Sequence, residues 1–173
     1  MEKRCNALVD VGRRQFLKGG AFAAAGAAAV GTLGGTARAE GLARVTYPSN
    51  RLANVSDLTV NEPFDVAYPD DDAPGVLLKL GTRVPGGAGP DGDIVGFSAL
   101  CPHKGYPLSY DGDDHTLNCP GHYSRFDPEK GGQQIWGHAT QNLPQYALRV
   151  DAGSDIYAEG VDELLYGRLS NVL

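Results

Sequence analysis

Hydrophobic residues in the chain come in short runs separated by clusters of turn-forming residues. The runs at 58–68, 76–80, 94–100, 115–118, 147–150 and 156–158 are rich in Val, Leu, Ile and Tyr and predict β-strands. Stretches rich in Pro, Gly and Asp at 69–75 and 84–93 favour turns, and Asp111-Gly112 is typical of a hairpin. Only 161–168 is compatible with a helical turn, or with an arm lying on a partner. The pattern predicts one all-β domain, an antiparallel barrel or sandwich.

The first 39 residues have a different character. Gly12-Arg13-Arg14-Gln15-Phe16-Leu17-Lys18 has the form of a twin-arginine export signal, and a run of Ala and Gly follows at 19–35. Ala37-Arg38-Ala39 fits the small-x-small cleavage pattern. We therefore expect a signal peptide at 1–39, a mature domain at 40–173 and a periplasmic location. The alternatives are a core helix or a retained membrane anchor, and membrane contact is expected only with the anchor.

Charge and cysteine content narrow the function classes. The full chain has 15 basic and 21 acidic residues and a formal net charge of −6. Residues 40–173 keep 9 basic and 19 acidic residues, a net charge of −10, which disfavours nucleic-acid binding. Of the three cysteines only Cys101 and Cys119 lie in this part, and its length suits a single domain.

Two short motifs carry the candidate chemistry. Cys101-Pro102-His103 and Cys119-Pro120-Gly121-His122 each supply one thiolate and one imidazole. Zinc fingers usually pair cysteines with cysteines and histidines with histidines along the chain. A mixed set suits a [2Fe–2S] cluster in which two thiolates hold one iron and two imidazoles hold the other. The predicted metal ligands are therefore Cys101, His103, Cys119 and His122, with one cluster per chain; a structural zinc site is the alternative.

Residues around these motifs are expected to support the cluster. Ser124 can offer a hydroxyl to a cluster sulfur, although an ordinary turn serine is the other interpretation. Gly105, Gly121 and Gly131-Gly132 are predicted to let backbone approach the cluster closely or to adopt a positive φ. His115 is predicted at the surface, and His138 is predicted to close the cluster lobe, to face a partner or to be structural.

The two motifs resemble those of Rieske proteins, whose cluster loops read C-x-H-x-G-C and C-P-C-H-x-S. This resemblance implies a Rieske-type β-domain with both cluster-binding loops at one end. The chain departs from the pattern at Tyr106 and Gly121, where many members carry the cysteines of a disulfide between the loops. It departs again at Phe126, where members of high potential have a tyrosine whose hydroxyl contacts a ligand sulfur. These departures predict a reduction potential in the middle of the Rieske range.

A closer resemblance extends over 119–150 and 160–169. There the chain is similar to the small subunit of arsenite oxidase, and the twin-arginine signal agrees with that family. The resemblance implies an electron-transfer subunit that passes electrons from a large molybdopterin subunit to a soluble cytochrome c or azurin. No catalytic residue and no substrate turnover are expected from this chain alone.

Other kinds of Rieske protein remain as alternatives. The main one is the iron–sulfur subunit of a cytochrome bc-type complex, which keeps a membrane anchor and a flexible hinge. A cytoplasmic ferredoxin is disfavoured by the export signal. A Rieske oxygenase also needs a mononuclear iron held by two histidines and a carboxylate, and the two remaining histidines are not arranged for it.

Overall fold

The computed structural model of the protein describes residues 46–172. The predicted export signal, the Ala/Gly-rich run and the cleavage site lie outside the described residues. Within 46–172, none of the helical segments has the length and apolar character needed to cross a membrane.

Short antiparallel strands make up the described part of the chain. They form three sheets, with strand orders β1-β10-β9, β2-β3-β4 and β5-β6-β7-β8. The strands are β1 (Asn50–Asn54), β2 (Pro63–Ala67), β3 (Pro74–Lys79), β4 (Ile94–Ser98), β5 (Ser109–Asp111), β6 (Thr116–Asn118), β7 (Arg125–Asp127), β8 (Gln133–Trp136), β9 (Tyr146–Val150) and β10 (Asp155–Val161). The predicted all-β, antiparallel class is confirmed. Among these residues the sheets do not close into a barrel, so the sandwich alternative applies.

Two of the segments predicted from the sequence have a different structure. The run at 58–68 does not form one strand, because a 3₁₀ turn at Val55–Asp57 and an isolated bridge at Val60 precede β2. The segment at 161–168 forms no helix, since β10 continues to Val161 and turns follow it. The Asp-Gly hairpin is present, with Asp111 paired to Thr116 across the turn between β5 and β6.

The second sheet is the central layer, because both faces of β3 and β4 are buried. Every residue of β4 is buried, and side chains alternate between two hydrophobic cores along β3 and β4, as the two-residue period of a strand requires. Leu77 and Ile94 point into a core shared with Ile156 of β10. Val95 and Phe97 point the other way, into a core that we call the site core.

The site core connects the central sheet to the predicted ligands. Besides residues of β3 and β4 it contains Cys101, Leu117, Cys119, Phe126 and Leu143, all of which are at most 3% exposed. Burial of several large apolar side chains against both cysteines fixes the third sheet on the central one. The two predicted ligand loops therefore rest on a rigid, well-packed base.

Candidate metal centre

The two ligand loops lie side by side because of how β5 and β6 pair. The first loop, residues 99–108, connects β4 to β5, and the second loop, residues 119–124, connects β6 to β7. Ser109 at the start of β5 is paired with Asn118 at the end of β6. In an antiparallel pair the beginning of one strand lies beside the end of the next. The first loop thus ends where the second begins.

Both loops are closed by the same pair of backbone hydrogen bonds. In each, the cysteine N–H donates to the carbonyl five residues later, and the N–H four residues after the cysteine donates back to the cysteine carbonyl. These bonds join Cys101 N to Tyr106 O (2.8 Å), Gly105 N to Cys101 O (2.8 Å), Cys119 N to Ser124 O (2.8 Å) and Tyr123 N to Cys119 O (3.1 Å). The fourth residue after each cysteine is left-handed, with φ of 67° at Gly105 and 59° at Tyr123. The site is therefore built from two loops of one design.

The two cysteine thiols are buried together beneath the loops. Cys101 is 0% exposed and Cys119 is 3% exposed, and neither forms a disulfide. Burial raises the pKa of the Cys101 thiol, and contact with the Cys119 thiol raises it further, while the His103 backbone N–H acts in the opposite direction. Two such thiols become thiolates most readily when a bound cation compensates the buried charge. The buried environment of the two cysteines therefore favours metal-bound thiolates over free thiolates.

The two imidazoles form a second pair. The ring centroids of His103 and His122 are 4.8 Å apart, with the planes inclined at 68°. The Nδ1 atoms of both rings are buried and have no hydrogen-bond partner. Burial, followed by the neighbouring His122, lowers the pKa of His103, which favours the neutral imidazole that a metal requires. Buried nitrogens normally find partners, so two orphaned Nδ1 atoms facing one site are ready to bind metal.

The donor atoms thus fall into a sulfur pair and a nitrogen pair. A tetrahedral zinc site requires all four donors around one ion, whereas a [2Fe–2S] cluster takes each pair on a different iron. The thiols are buried in the site core and the imidazoles are half-buried nearer the surface. This division fits the two-iron group.

Ser124 is more than an ordinary turn residue. It is 0% exposed, and its hydroxyl oxygen accepts a hydrogen bond of 2.9 Å from the Ala139 backbone N–H. The hydroxyl hydrogen remains available to donate in another direction. Gly137, with φ of 93°, packs so closely against the Ser124 backbone that a Cβ atom would collide with it. These contacts fix the serine at the end of the second ligand loop.

The two remaining histidines have different surroundings. The His138 ring lies 6.1 Å from His103 and 6.0 Å from His122, so three imidazoles gather at the loop tips. His115 instead contacts a carboxylate. Its Nδ1 lies 2.9 Å from a Glu129 carboxylate oxygen, and its side chain is 42% exposed. The position of His115 agrees with its predicted surface role. The approach of His138 to the two candidate ligands is compatible with its predicted role in closing the cluster lobe, and its sequence signal is only its place after Trp136-Gly137.

Two further predictions concern packing around the site. Phe126 is 0% exposed and lies in the same core as both cysteines. Because the residue is phenylalanine, it brings no hydroxyl to that core. Gly132 meets the expectation of a positive φ. Gly132 has φ of 72°, and a Cβ there would meet the Leu143 carbonyl and the Phe97 ring. Its role is to let the chain pass closely over the base of the site.

Exposed aromatic side chains surround the imidazoles. Tyr123 is 75% exposed and Trp136 is 68% exposed. With His122 and His138 they line a surface groove of about 480 Å³. Large exposed aromatics at a concave surface are common where another molecule docks.

Comparison with known proteins supports the metal-centre interpretation. The family model described as the Rieske [2Fe-2S] domain matches residues 50–147, more than half of the chain. Iodate reductase subunit IdrB of Denitromonas iodatirespirans is 42% identical over 166 residues, which cover 92% of this chain and 89% of the relative. Iodate reductase subunit IdrB of Pseudomonas sp. (strain SCT) is 40% identical and covers 90% of this chain and 81% of the relative.

More distant matches are shorter or are limited to the fold. The cytochrome bc1 complex Rieske iron-sulfur subunit of Corynebacterium efficiens is 36% identical over 70 residues, which cover 40% of this chain and 17% of the relative. The soluble domain of Rieske protein II from Sulfolobus acidocaldarius superimposes with a TM-score of 0.63 at 24% identity, over 71% of this chain and 82% of that chain. This last match supports the fold. Taken with the paired thiols and imidazoles, these likenesses establish that the chain belongs to the Rieske [2Fe-2S] family and binds one [2Fe–2S] cluster.

Proposed function

We propose that this chain is the exported electron-transfer subunit of an oxyanion oxidoreductase whose large subunit carries molybdopterin. The observation that carries the proposal is the separation of the donors into a buried sulfur pair and an orphaned Nδ1 pair at the tips of two matching loops. We assign Cys101 and Cys119 to one iron, and His103 and His122 to the other. When bound, the cluster supplies storage and transfer of one electron.

The residues of the chain then have distinct roles. The thiols anchor the cluster in the site core, where apolar packing excludes water. The imidazoles lie nearer the surface, so we assign the edge formed by His103 and His122 as the place where electrons enter or leave. Ser124, whose hydroxyl oxygen accepts from the Ala139 N–H, would donate its hydroxyl hydrogen to a sulfur of the bound cluster. A donor so placed favours the reduced state, because it stabilises the added negative charge.

The choice of complex rests on the length of the match to the iodate reductase subunits. These relatives align with 90–92% of this chain, whereas the cytochrome bc1 subunit aligns with 40%. The match includes regions outside a shared cluster domain, as expected for subunits of one kind of assembly. We therefore place the chain beside a large catalytic subunit that performs the reaction on the oxyanion.

Iodate is the substrate that the relatives favour, and arsenite is the second candidate because of the resemblance at 119–150. The two reactions differ in the direction in which electrons pass through this chain. Iodate reduction consumes electrons that reach the catalytic subunit through this chain. Arsenite oxidation releases electrons, which this chain passes to a soluble cytochrome c or azurin. The same Rieske centre serves either direction, since only the potentials of its partners differ.

Isolation of the chain with its native partners tests the proposal. We expect a large subunit containing molybdenum, an electron paramagnetic resonance signal from the reduced [2Fe–2S] cluster, and oxidation of reduced cytochrome c on addition of iodate. Reduction of cytochrome c on addition of arsenite, with no response to iodate, would select the second candidate. Co-purification with cytochromes b and c₁ would overturn the proposed complex, and a colourless protein with stoichiometric zinc would overturn the cluster itself.

A further inference from the structure

Tyr106 connects the two ligand loops directly. Its backbone belongs to the first loop, where its carbonyl accepts the 2.8 Å hydrogen bond from the Cys101 N–H. Its ring lies against the second loop, at Gly121, where an added Cβ would come within 2.7–2.9 Å of three ring carbons. The same ring meets the His122 imidazole edge to face, with centroids 5.9 Å apart and planes at 83°. One side chain thus spans the space between the loops.

The glycine at 121 is explained by this contact and by nothing in its backbone. Unlike Gly105, Gly131 and Gly132, it does not have a positive φ, so an alanine there meets no conformational penalty. The obstacle to any larger residue is the Tyr106 ring. Close approach of a ring to a Cα permits contact that a side chain would prevent.

A second tyrosine lies against the first loop from outside. The Tyr166 ring packs on Gly105, leaving no room for a Cβ. Tyr166 follows β10 in the segment 162–172, which we call the C-terminal arm. The arm is held to the domain by a two-pronged ion pair between Arg168 and Asp70, with both N–O distances 2.6 Å. The first loop is thereby enclosed between the arm and the second loop.

Core packing alone does not account for these rings. Tyr106 is 46% exposed and Tyr166 is 42% exposed, so neither contributes a fully buried side chain to any core. Each of the two rings instead packs against a glycine of a ligand loop, Tyr106 against Gly121 and Tyr166 against Gly105. We propose that Tyr106 is a positioning residue that links the two ligand loops and holds the His122 imidazole, with Tyr166 supporting the first loop. This inference rests on the proposed function, because it concerns the loops that hold the cluster.

The test compares the rate of cluster loss in wild type and three variants of the full chain. We measure the decay of visible absorbance in the presence of an iron chelator, and the electron paramagnetic resonance spectrum of the reduced protein. Tyr106→Ala should lose its cluster about tenfold faster than wild type, the factor that corresponds to the upper range of an aromatic contact, and its spectrum should broaden. Tyr106→Phe should behave as wild type. Tyr157→Ala, which removes a half-buried tyrosine ring from β10 outside both ligand loops, is the matched control and should lose its cluster at the wild-type rate.

A double-mutant cycle separates a link between loops from a general effect on folding. Gly121→Ala should accelerate cluster loss in the wild-type background, because its Cβ displaces the ring. In the Tyr106→Ala background the same change should have no effect, since the ring is absent. Equal effects in both backgrounds, or a wild-type rate and spectrum in Tyr106→Ala, would overturn the inference. Absence of a cluster from the wild-type chain would instead overturn the proposed function.

Discussion

Single side chains around the two cysteines determine how strongly the site favours an added electron. Phe126 supplies no hydrogen bond to the sulfurs, although it is buried in the core that contains both thiols. Ser124 is the hydroxyl residue fixed at the end of the second loop. Adding one donor and removing another should therefore move the reduction potential in opposite directions.

The first prediction concerns a donor added to the site core. Phe126→Tyr should raise the reduction potential by roughly 60–130 mV, since a hydrogen bond to a charged group contributes about 1.5–3 kcal/mol and 59 mV corresponds to a tenfold change. A redox titration measures the shift. Phe64→Tyr adds the same hydroxyl beside the other core and should leave the potential unchanged. An unshifted potential in Phe126→Tyr would show that this ring does not face the cluster.

The second prediction concerns loss of the serine hydroxyl. Ser124→Ala should lower the reduction potential, and it should also destabilise the fold by about 1–3 kcal/mol, because the buried Ala139 N–H loses its acceptor. Redox titration and thermal unfolding report the two effects. Ser109→Ala, at an exposed position of β5, is the control for serine content. A stability loss without a change in potential would restrict Ser124 to a structural role.

The sequence predicts a ligand set for the site but little of the surroundings of that set. The role of these residues as ligands stays a prediction, but the residues were recognisable because thiolates and imidazoles carry metal chemistry wherever they occur. The contact of Tyr166 with Gly105 was not, since 61 positions separate the two residues along the chain and only the folded chain joins them. His138 was noticed but not placed, because its approach to the imidazoles depends on the path of β8.

At the scale of elements, strands were predictable where burial gave them a hydrophobic pattern. β3 and β4 carry such patterns and were found close to their true limits. The predicted strands do not include β1, β5, β7 and β8. Arg125–Asp127 has a single buried residue, and Gln133–Trp136 has none, so pairing with a neighbouring strand makes them strands. Exposed strands of this kind lack the hydrophobic sequence pattern by which a strand is recognised.

The third prediction concerns the attachment of the C-terminal arm. The hydrogen bond from Arg168 lowers the pKa of Asp70, so the ion pair stabilises the folded arm above the ordinary carboxylate pKa. That stabilisation is lost as the pH falls through the lowered pKa of the folded protein. In Asp70→Asn the backbone amides of the arm should be less protected from hydrogen exchange at neutral pH. Acidification should change that protection little. Hydrogen exchange of residues 162–172 measures the effect.

A neighbouring carboxylate provides the control for this experiment. Asp71→Asn removes an equal charge from the same exposed turn, where Asp70 and not Asp71 pairs with Arg168. Its arm should exchange at the wild-type rate. Equal acceleration in both variants would assign the effect to overall charge and contradict the specific pairing.

At the scale of the whole molecule, the proposed export route links assembly of the site to its destination. The twin-arginine route carries folded proteins, which suits a chain that must receive its cluster before it leaves the cytoplasm. The fourth prediction is that replacing Arg13 and Arg14 together by lysine retains the protein, with its cluster, in the cytoplasm. Cell fractionation with detection of the cluster measures this. Lys3→Arg with Lys18→Arg should leave the distribution unchanged, and periplasmic protein in the twin-lysine variant would contradict the proposed route.

The short hairpin of β5 and β6 has a practical consequence for measuring electron transfer between this protein and an electrode. The hairpin is three residue pairs long and places the ligand loops at one end and the Asp111–Thr116 turn at the other. Asp113, exposed in that turn, is therefore a suitable point for attachment to a solid surface. A chain immobilised there would present its imidazole edge outward to a soluble mediator. Attachment through Tyr123 would turn that edge towards the electrode, so the two orientations would compare current through opposite sides of one protein.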